Sequence, residues 1–359
     1  MTYFLLVIGL VLLIVGADGL VKGASRLAEK MGIPAVVIGL TVVAFGTSAP
    51  ELAVSINSAV ADKTELAMAN VVGSNIFNLL FILGLAAVIT PLAISKQLIR
   101  QDVPIMVLVT GLVFYMAMDG LLSLWESVVL VILLVVYTGF LFIQGKKSEP
   151  LATRSNSSDK AAAVAVKNYP VWQSLLWLIV GLALLIVGAN LLVSSAVDIA
   201  RAFGVSEAII GLTILAIGTS LPEVVTSIVA SIKGQKDIAV GNVVGSNTFN
   251  LLAVLGISGL VSGQGLVGNA QLIEQDLLVM LGVAVLALPL VITGNTLSRL
   301  EGGLFFGLYV LYTTLLIGAA KNEVWVGTLS AITWYVVFPV ILLIVTVSLA
   351  RHLSKQDIN

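Results

Sequence analysis

The sequence predicts an all-α integral membrane protein of about 11 transmembrane helices, built as two inverted-topology repeats of about five helices plus one extra C-terminal helix. Three observations carry this. Apolar residues make up 59% of the 359 residues and charged residues only 10%, far from the mix of a water-soluble domain. Stretches of roughly twenty apolar residues recur along the chain. One of them, carboxylate included, occurs twice, as Ala44-Phe45-Gly46-Thr47-Ser48-Ala49-Pro50-Glu51 and Ala216-Ile217-Gly218-Thr219-Ser220-Leu221-Pro222-Glu223.

The first apolar stretch, about 3–22, has no basic segment before it and no small-residue cleavage site after it, so it reads as a retained span. Spans follow at about 33–59, 66–90, 103–119 and 124–143, which complete a first repeat over 1–143. Residues 144–170 carry Lys146, Lys147, Arg154, Lys160 and Lys167 among Ser, Asn and Ala and read as a mobile cytoplasmic linker. Spans at about 172–194, 205–232, 238–262, 276–294 and 302–319 form a second repeat over 171–320. An eleventh span, about 325–350, and a cytoplasmic tail account for 321–359.

Basic residues set the expected orientation. With the N-terminus outside, 15 of the 18 Lys and Arg residues lie on the inner side, and only Lys63, Arg201 and Lys321 lie outside. This bias predicts a cell-membrane protein with its C-terminus in the cytoplasm. The net charge of −1 offers no basic surface to nucleic acid. The chain has no cysteine and one histidine, His352, which excludes thiol redox chemistry and His-Cys zinc sites.

Gly32 to Ala86 aligns without a gap on Gly204 to Ser258, Glu223 falling 172 residues after Glu51. The copies occupy about 33–90 and 205–262, and the five spans between corresponding positions are an odd number. The second copy therefore enters the membrane with opposite polarity, the pattern of secondary transporters whose site lies at the midplane.

A glutamate at bilayer depth costs a few kcal/mol unless it is paired, so Glu51 and Glu223 mark a functional site. Glycine, Thr-Ser and proline beside them interrupt the helix and free carbonyls near Ala44, Thr47, Ala216 and Thr219. On the next span Asn70, Ser74 and Asn78 recur every fourth residue on one helix face, and Asn242, Ser246 and Asn250 repeat it. With the hydroxyls of Ser48 and Ser220, every candidate ligand is an oxygen, a set that selects Na⁺, Ca²⁺, Mg²⁺ or Mn²⁺. One Ca²⁺ neutralises two ionised glutamates, and two or three Na⁺ roughly balance them, so competition makes exchange obligatory. Protons compete for the same carboxylates, and acid is expected to inhibit.

Other readings stand beside these. Ser48 with Glu51, and Ser220 with Glu223, have the spacing of a capping box. Asn70, Asn242 and their neighbours suit interhelical hydrogen bonding. Gly73 and Gly245 are expected at close helix contacts. Asp18 is expected as an interfacial charge, and Glu65, Asp102, Glu126, Glu274 and Asp276 as solvated span ends.

With both motifs followed by Gly-Ser-Asn and then Asn78 or Asn250, the chain resembles the cation/Ca²⁺ exchangers, specifically the prokaryotic sodium/calcium exchanger branch, over its first ten spans. The resemblance implies a ten-helix core with alternating access and no resident cofactor, Ca²⁺ and Na⁺ being substrates. It implies that Glu51 and Glu223 bind both ions and that the Thr47 and Thr219 carbonyls complete the Ca²⁺ site. Ser48, Ser220, Ser74 and Ser246, with the Ala44 and Ala216 carbonyls, correspond to Na⁺ ligands. The first and sixth spans correspond to a pair that slides past the core. Position 250 is Asn where some relatives carry Asp, which argues against potassium co-transport. The eleventh span lies outside the family core, and a homo-oligomer contact is one reading of it. A proton-coupled divalent exchanger and a cation channel are the alternatives. An intramembrane hydrolase built on Ser48 or Ser220 lacks a suitable general base.

Overall fold

Backbone N–H and C=O groups in lipid have to be satisfied within the chain, so the apolar stretches become helices. The computed structural model describes residues 2–147, 170–204, 210, 214, 216–292 and 295–341. In chain order these form α1 (Thr2–Met31), α2 (Ala35–Thr47), α3 (Ala49–Val60), α4 (Thr64–Ile89), α5 (Leu98–Asp119) and α6 (Leu124–Lys147). Residues 148–169, nearly all of the expected linker, lie outside the described residues, as does the expected tail. Then come α7 (Val171–Ala202), α8 (Leu221–Ile232), α9 (Lys236–Ser262), α10 (Leu277–Ile292), α11 (Arg299–Ala320) and α12 (Trp325–Ile341).

Seven described helices are long and apolar enough to cross a membrane, or eight if α2 and α3 are one bent span. The expected count of eleven is not reached among the described residues. α8 and α12 are shorter than a span, and the stretches 205–232, 276–294 and 325–350 all run into residues that are not described.

Four short strands report the inverted arrangement. β1 (Leu92–Ala93) follows α4, β2 (Leu121–Leu122) follows α5, β3 (Leu266–Val267) follows α9 and β4 (Thr296–Leu297) follows α10. By the repeat, α9 corresponds to α4, so parallel halves would bring β3 to the end that holds β1. Instead β1 pairs antiparallel with β4, and β2 with β3. The two halves therefore run in opposite senses. π-helical turns at Asn78–Ile82 and Asn250–Val254 sit at matching places in α4 and α9.

Buried apolar side chains form two clusters. The larger is built from α4, α5, α6, α9, α10 and α11. The smaller joins α1 and α7 to Ile38 and Val43 of α2, Ala230 of α8, and Ile238 and Ala239 of α9. α2 and α8 contribute to both clusters, Leu40 and Val224 lying in the larger one, so the broken segments occupy the seam.

Small residues let α1 and α7 approach backbone to backbone, the usual basis of helix association in lipid. A Cβ on Gly9 would lie 2.9 Å from the Gly188 carbonyl, one on Gly16 2.8 Å from the Gly181 carbonyl, and one on Gly23 2.8 Å from the Ser174 carbonyl. Gly245 meets its expectation as well, since a Cβ there would lie 2.7 Å from Leu40 Cα. Its counterpart Gly73 does not: it is exposed, and a Cβ would meet nothing within 4 Å among the described residues.

Asp102, expected at a solvated end, is fully buried. It closes the π-turn Leu98–Asp102, which swings it inward. Gln101 Nε2 donates to its Oδ1 at 3.2 Å while Gln101 and Gln144 exchange amide bonds over it. Asp276 is half-buried and accepts the Tyr312 hydroxyl at 2.9 Å. Asp18 pairs with Lys233 at the end of α8.

Candidate functional site

Proline lacks a backbone donor and fits the first turn of a helix, so Pro50 and Pro222 let a new helix start in mid-membrane. Both occupy that first turn, in α3 and α8. Ser48 and Ser220 precede them with nearly the same backbone, φ −82° and ψ 8° against φ −90° and ψ 8°. α2 and α3 diverge by 45° at the break.

Neither serine caps its own helix with its side chain. Instead each reaches across to the other half. Ser48 Oγ donates to Glu223 Oε1 at 3.0 Å and Ser220 Oγ to Glu51 Oε1 at 2.8 Å. Glu51 is 1% exposed and Glu223 0%, and the Oε2 atoms of both have no partner among the described residues. The charged group acting on Glu51 is Glu223 itself. Two ionised carboxylates this deep each cost several kcal/mol of hydration. A cation drawn to the two free oxygens offsets that cost, which is what this arrangement can do chemically.

The remaining expected residues gather around the pair. Ser74 Oγ lies 3.3 Å from Ser220 Oγ. Thr47 Oγ1 donates to Asn242 Oδ1 at 3.1 Å and stands 3.5 Å from Ser246 Oγ. Among the described residues the Thr219 hydroxyl is buried without a partner, as are both amide atoms of Asn78 and Oδ1 of Asn250. The Ala44 carbonyl is not wholly freed by the break: it accepts from the Ser48 N–H at 3.0 Å, with Thr47 Oγ1 3.4 Å away and one lone pair left over. Ala216 opens the short turn Ala216–Gly218, and its side chain is not described.

Asn70 and Asn242 brace the broken helices. Asn70 Nδ2 donates to the Glu51 carbonyl at 3.3 Å and to Ser55 Oγ at 3.0 Å. Asn242 Nδ2 donates to the Glu223 carbonyl at 3.5 Å and to Ser227 Oγ at 3.0 Å. Ser55 and Ser227 were not singled out from the sequence, although each follows its glutamate by one helical turn in both copies, a signal that could have found them. Asn242→Ala removes the amide oxygen that accepts from Thr47 and the donor to Ser227 Oγ and is expected to cost about 1–3 kcal/mol, read as a lower unfolding temperature in detergent.

Among the described residues no group of three His, Cys, Asp or Glu could hold a metal ion. Two carboxylates ringed by neutral oxygens suit a cation that is bound and then released.

Known proteins resemble this chain over most of its length. The model of the sodium/calcium exchanger protein family matches residues 1–143 and 173–318. Inner membrane protein YrbG of Escherichia coli is 38% identical over 259 residues, covering 72% of this chain and 79% of that protein. Sodium/calcium exchanger MaX1 of Methanosarcina acetivorans is 32% identical over 344 residues, covering 88% and 98%. The solved structure of the sodium-calcium exchanger NCX_Mj soaked with 10 mM Na⁺ and zero Ca²⁺ matches with a TM-score of 0.75 and 31% identity, over 89% of this chain and 98% of that one.

Proposed function

The chain belongs to the sodium/calcium exchanger protein family, and from that premise we propose that it is a secondary active antiporter extruding Ca²⁺ against an inward Na⁺ gradient. It is a multi-pass membrane transporter of the cation/Ca²⁺ exchange class and not an enzyme. The single observation that carries the finer reading is the crossed pair, Ser48 on Glu223 and Ser220 on Glu51, with one free buried oxygen left on each glutamate.

In this reading Glu51 and Glu223 bind either Ca²⁺ or Na⁺, with Thr47, Thr219, Ser48, Ser220, Ser74, Ser246, Asn78 and Asn250 and the carbonyls at Ala44 and Ala216 completing the shell. Because both halves supply ligands, a bound cation ties the seam together. Bare carboxylates at the seam oppose passage through an empty closed state, since they stay desolvated with no counter-ion. Exchange rather than leak follows. Residues 1–143 and 171–320 act as the two halves, with the N-terminus outside and the C-terminus in the cytoplasm.

The test is Ca²⁺ uptake into proteoliposomes loaded with Na⁺ and diluted into Na⁺-free buffer. Uptake that requires internal Na⁺ supports the reading. Uptake driven by a pH gradient without Na⁺ makes the protein a proton-coupled exchanger, and conductance without countertransport makes it a channel. A second expected outcome concerns acid. A protonated carboxylate is lost as a ligand, so lowering external pH from 7 toward about 5 raises the KM for Ca²⁺ and slows exchange. A KM flat across that range contradicts direct proton competition.

A further inference from the structure

α4 and α9 cross where Asn75 meets Asn247, two buried residues outside the ligand set above. Each side-chain amide donates to the other's backbone carbonyl, Asn75 Nδ2 to Asn247 O at 3.3 Å and Asn247 Nδ2 to Asn75 O at 3.2 Å. A backbone carbonyl only accepts, so both amides are held with nitrogen on the opposite carbonyl, which fixes where each oxygen points. The likeness of the halves ends at those oxygens. Asn75 Oδ1 accepts from Asn250 Nδ2 at 3.1 Å. Among the described residues Asn247 Oδ1 has no partner, and Asn78, which stands where Asn250 stands in the other half, has neither amide atom engaged.

Asn75 thus offers residue 250 an acceptor and nothing else, and Asn250 has to present its NH₂ there. Its Oδ1 is directed elsewhere, buried and without a partner among the described residues. The π-turn that begins at Asn250 packs on α3, the half-helix carrying Glu51. We propose that Asn75 is a positioning residue that holds the Asn250 amide with its oxygen, not its NH₂, toward the transported cation. The inference rests on the exchange reading and adds a neutral oxygen of fixed orientation to it. Asn247 builds the same clasp yet orients no side chain, so it serves as an internal control for packing effects.

The experiment compares initial Ca²⁺ uptake over a range of Ca²⁺ concentrations for the wild type, Asn75→Ala, Asn247→Ala, Asn250→Ala and the Asn75→Ala/Asn250→Ala pair. Asn75→Ala and Asn250→Ala are each expected to raise KM roughly five- to tenfold, the scale of one hydrogen-bonding oxygen, with the maximal rate nearly unchanged. The pair should show no further rise, as residues acting through one another do. Asn247→Ala breaks the same clasp, so it should also lower the unfolding temperature, yet leave KM alone. An unchanged KM in Asn75→Ala, an additive pair, or equal KM shifts at 75 and 247 overturns the inference. If Asn75→Ala does not fold, Asn75→Thr, too short to hold both bonds, is read the same way. If the wild type carries no Ca²⁺ flux, the exchange reading fails by itself, and Ca²⁺ binding to the same purified variants by calorimetry still decides the role of Asn75.

Discussion

Replacing Glu51 or Glu223 by Gln is expected to reduce Ca²⁺ transport by at least about a hundredfold, the scale of losing a buried charge-assisted interaction of roughly 3–5 kcal/mol. The substitution keeps the size of the side chain and an oxygen to accept from Ser220 or Ser48. It removes one negative charge of two and turns an NH₂ toward the cation. Folding should not suffer, because an unpaired buried carboxylate is replaced by a neutral group. Flux and unfolding temperature measured together check this, transport falling while the unfolding temperature holds or rises. A flux that survives either substitution places the site elsewhere.

Gly181→Leu is expected to split α1 from α7 and to cause a large loss of stability. Even the first added atom, Cβ, would lie 2.5 Å from the Leu20 N and 2.7 Å from the Gly16 carbonyl. Both are backbone atoms within a helix and cannot turn aside as a side chain would. Overpacking of this kind costs about 1–3 kcal/mol or more, and here the whole interface has to open. The unfolding temperature of Gly181→Leu in detergent, beside Gly139→Leu as a control where a Cβ would meet nothing within 4 Å among the described residues, measures the effect. Equal values for the two would mean that α1 and α7 are not held by the close approach of their backbones.

The duplicated octapeptide was legible because polar and helix-breaking residues stand out against an apolar background, and because an accident does not recur in register. Inversion was legible from the odd number of spans, and the cross-pairing of β1 with β4 and β2 with β3 bears it out. Span ends were less legible. α1 runs over 30 residues and α7 over 32, well beyond the stretches of about twenty set by hydrocarbon thickness. Lys22, Arg26 and Lys30 extend the first helix past the apolar core, where no hydropathy signal distinguishes helix from loop. Asp102 was misread for a related reason: a π-turn changes which face a residue occupies, and spacing alone does not reveal it. The clasp of Asn75 with Asn247 needed the structure, since it depends on where two helices from different halves cross. The difference between Gly73 and Gly245 was also invisible, because the same local sequence surrounds both.

Direct competition between the two cations tests the central claim, one buried site shared by Ca²⁺ and Na⁺ at Glu51 and Glu223. The measurement is Ca²⁺ binding to the purified protein at rising Na⁺ concentration. The account predicts an apparent Kd that climbs more steeply than linearly with Na⁺ at constant Ca²⁺ capacity, because more than one Na⁺ takes the place of one Ca²⁺. A Kd indifferent to Na⁺, or a capacity that falls while Kd stays fixed, would contradict it.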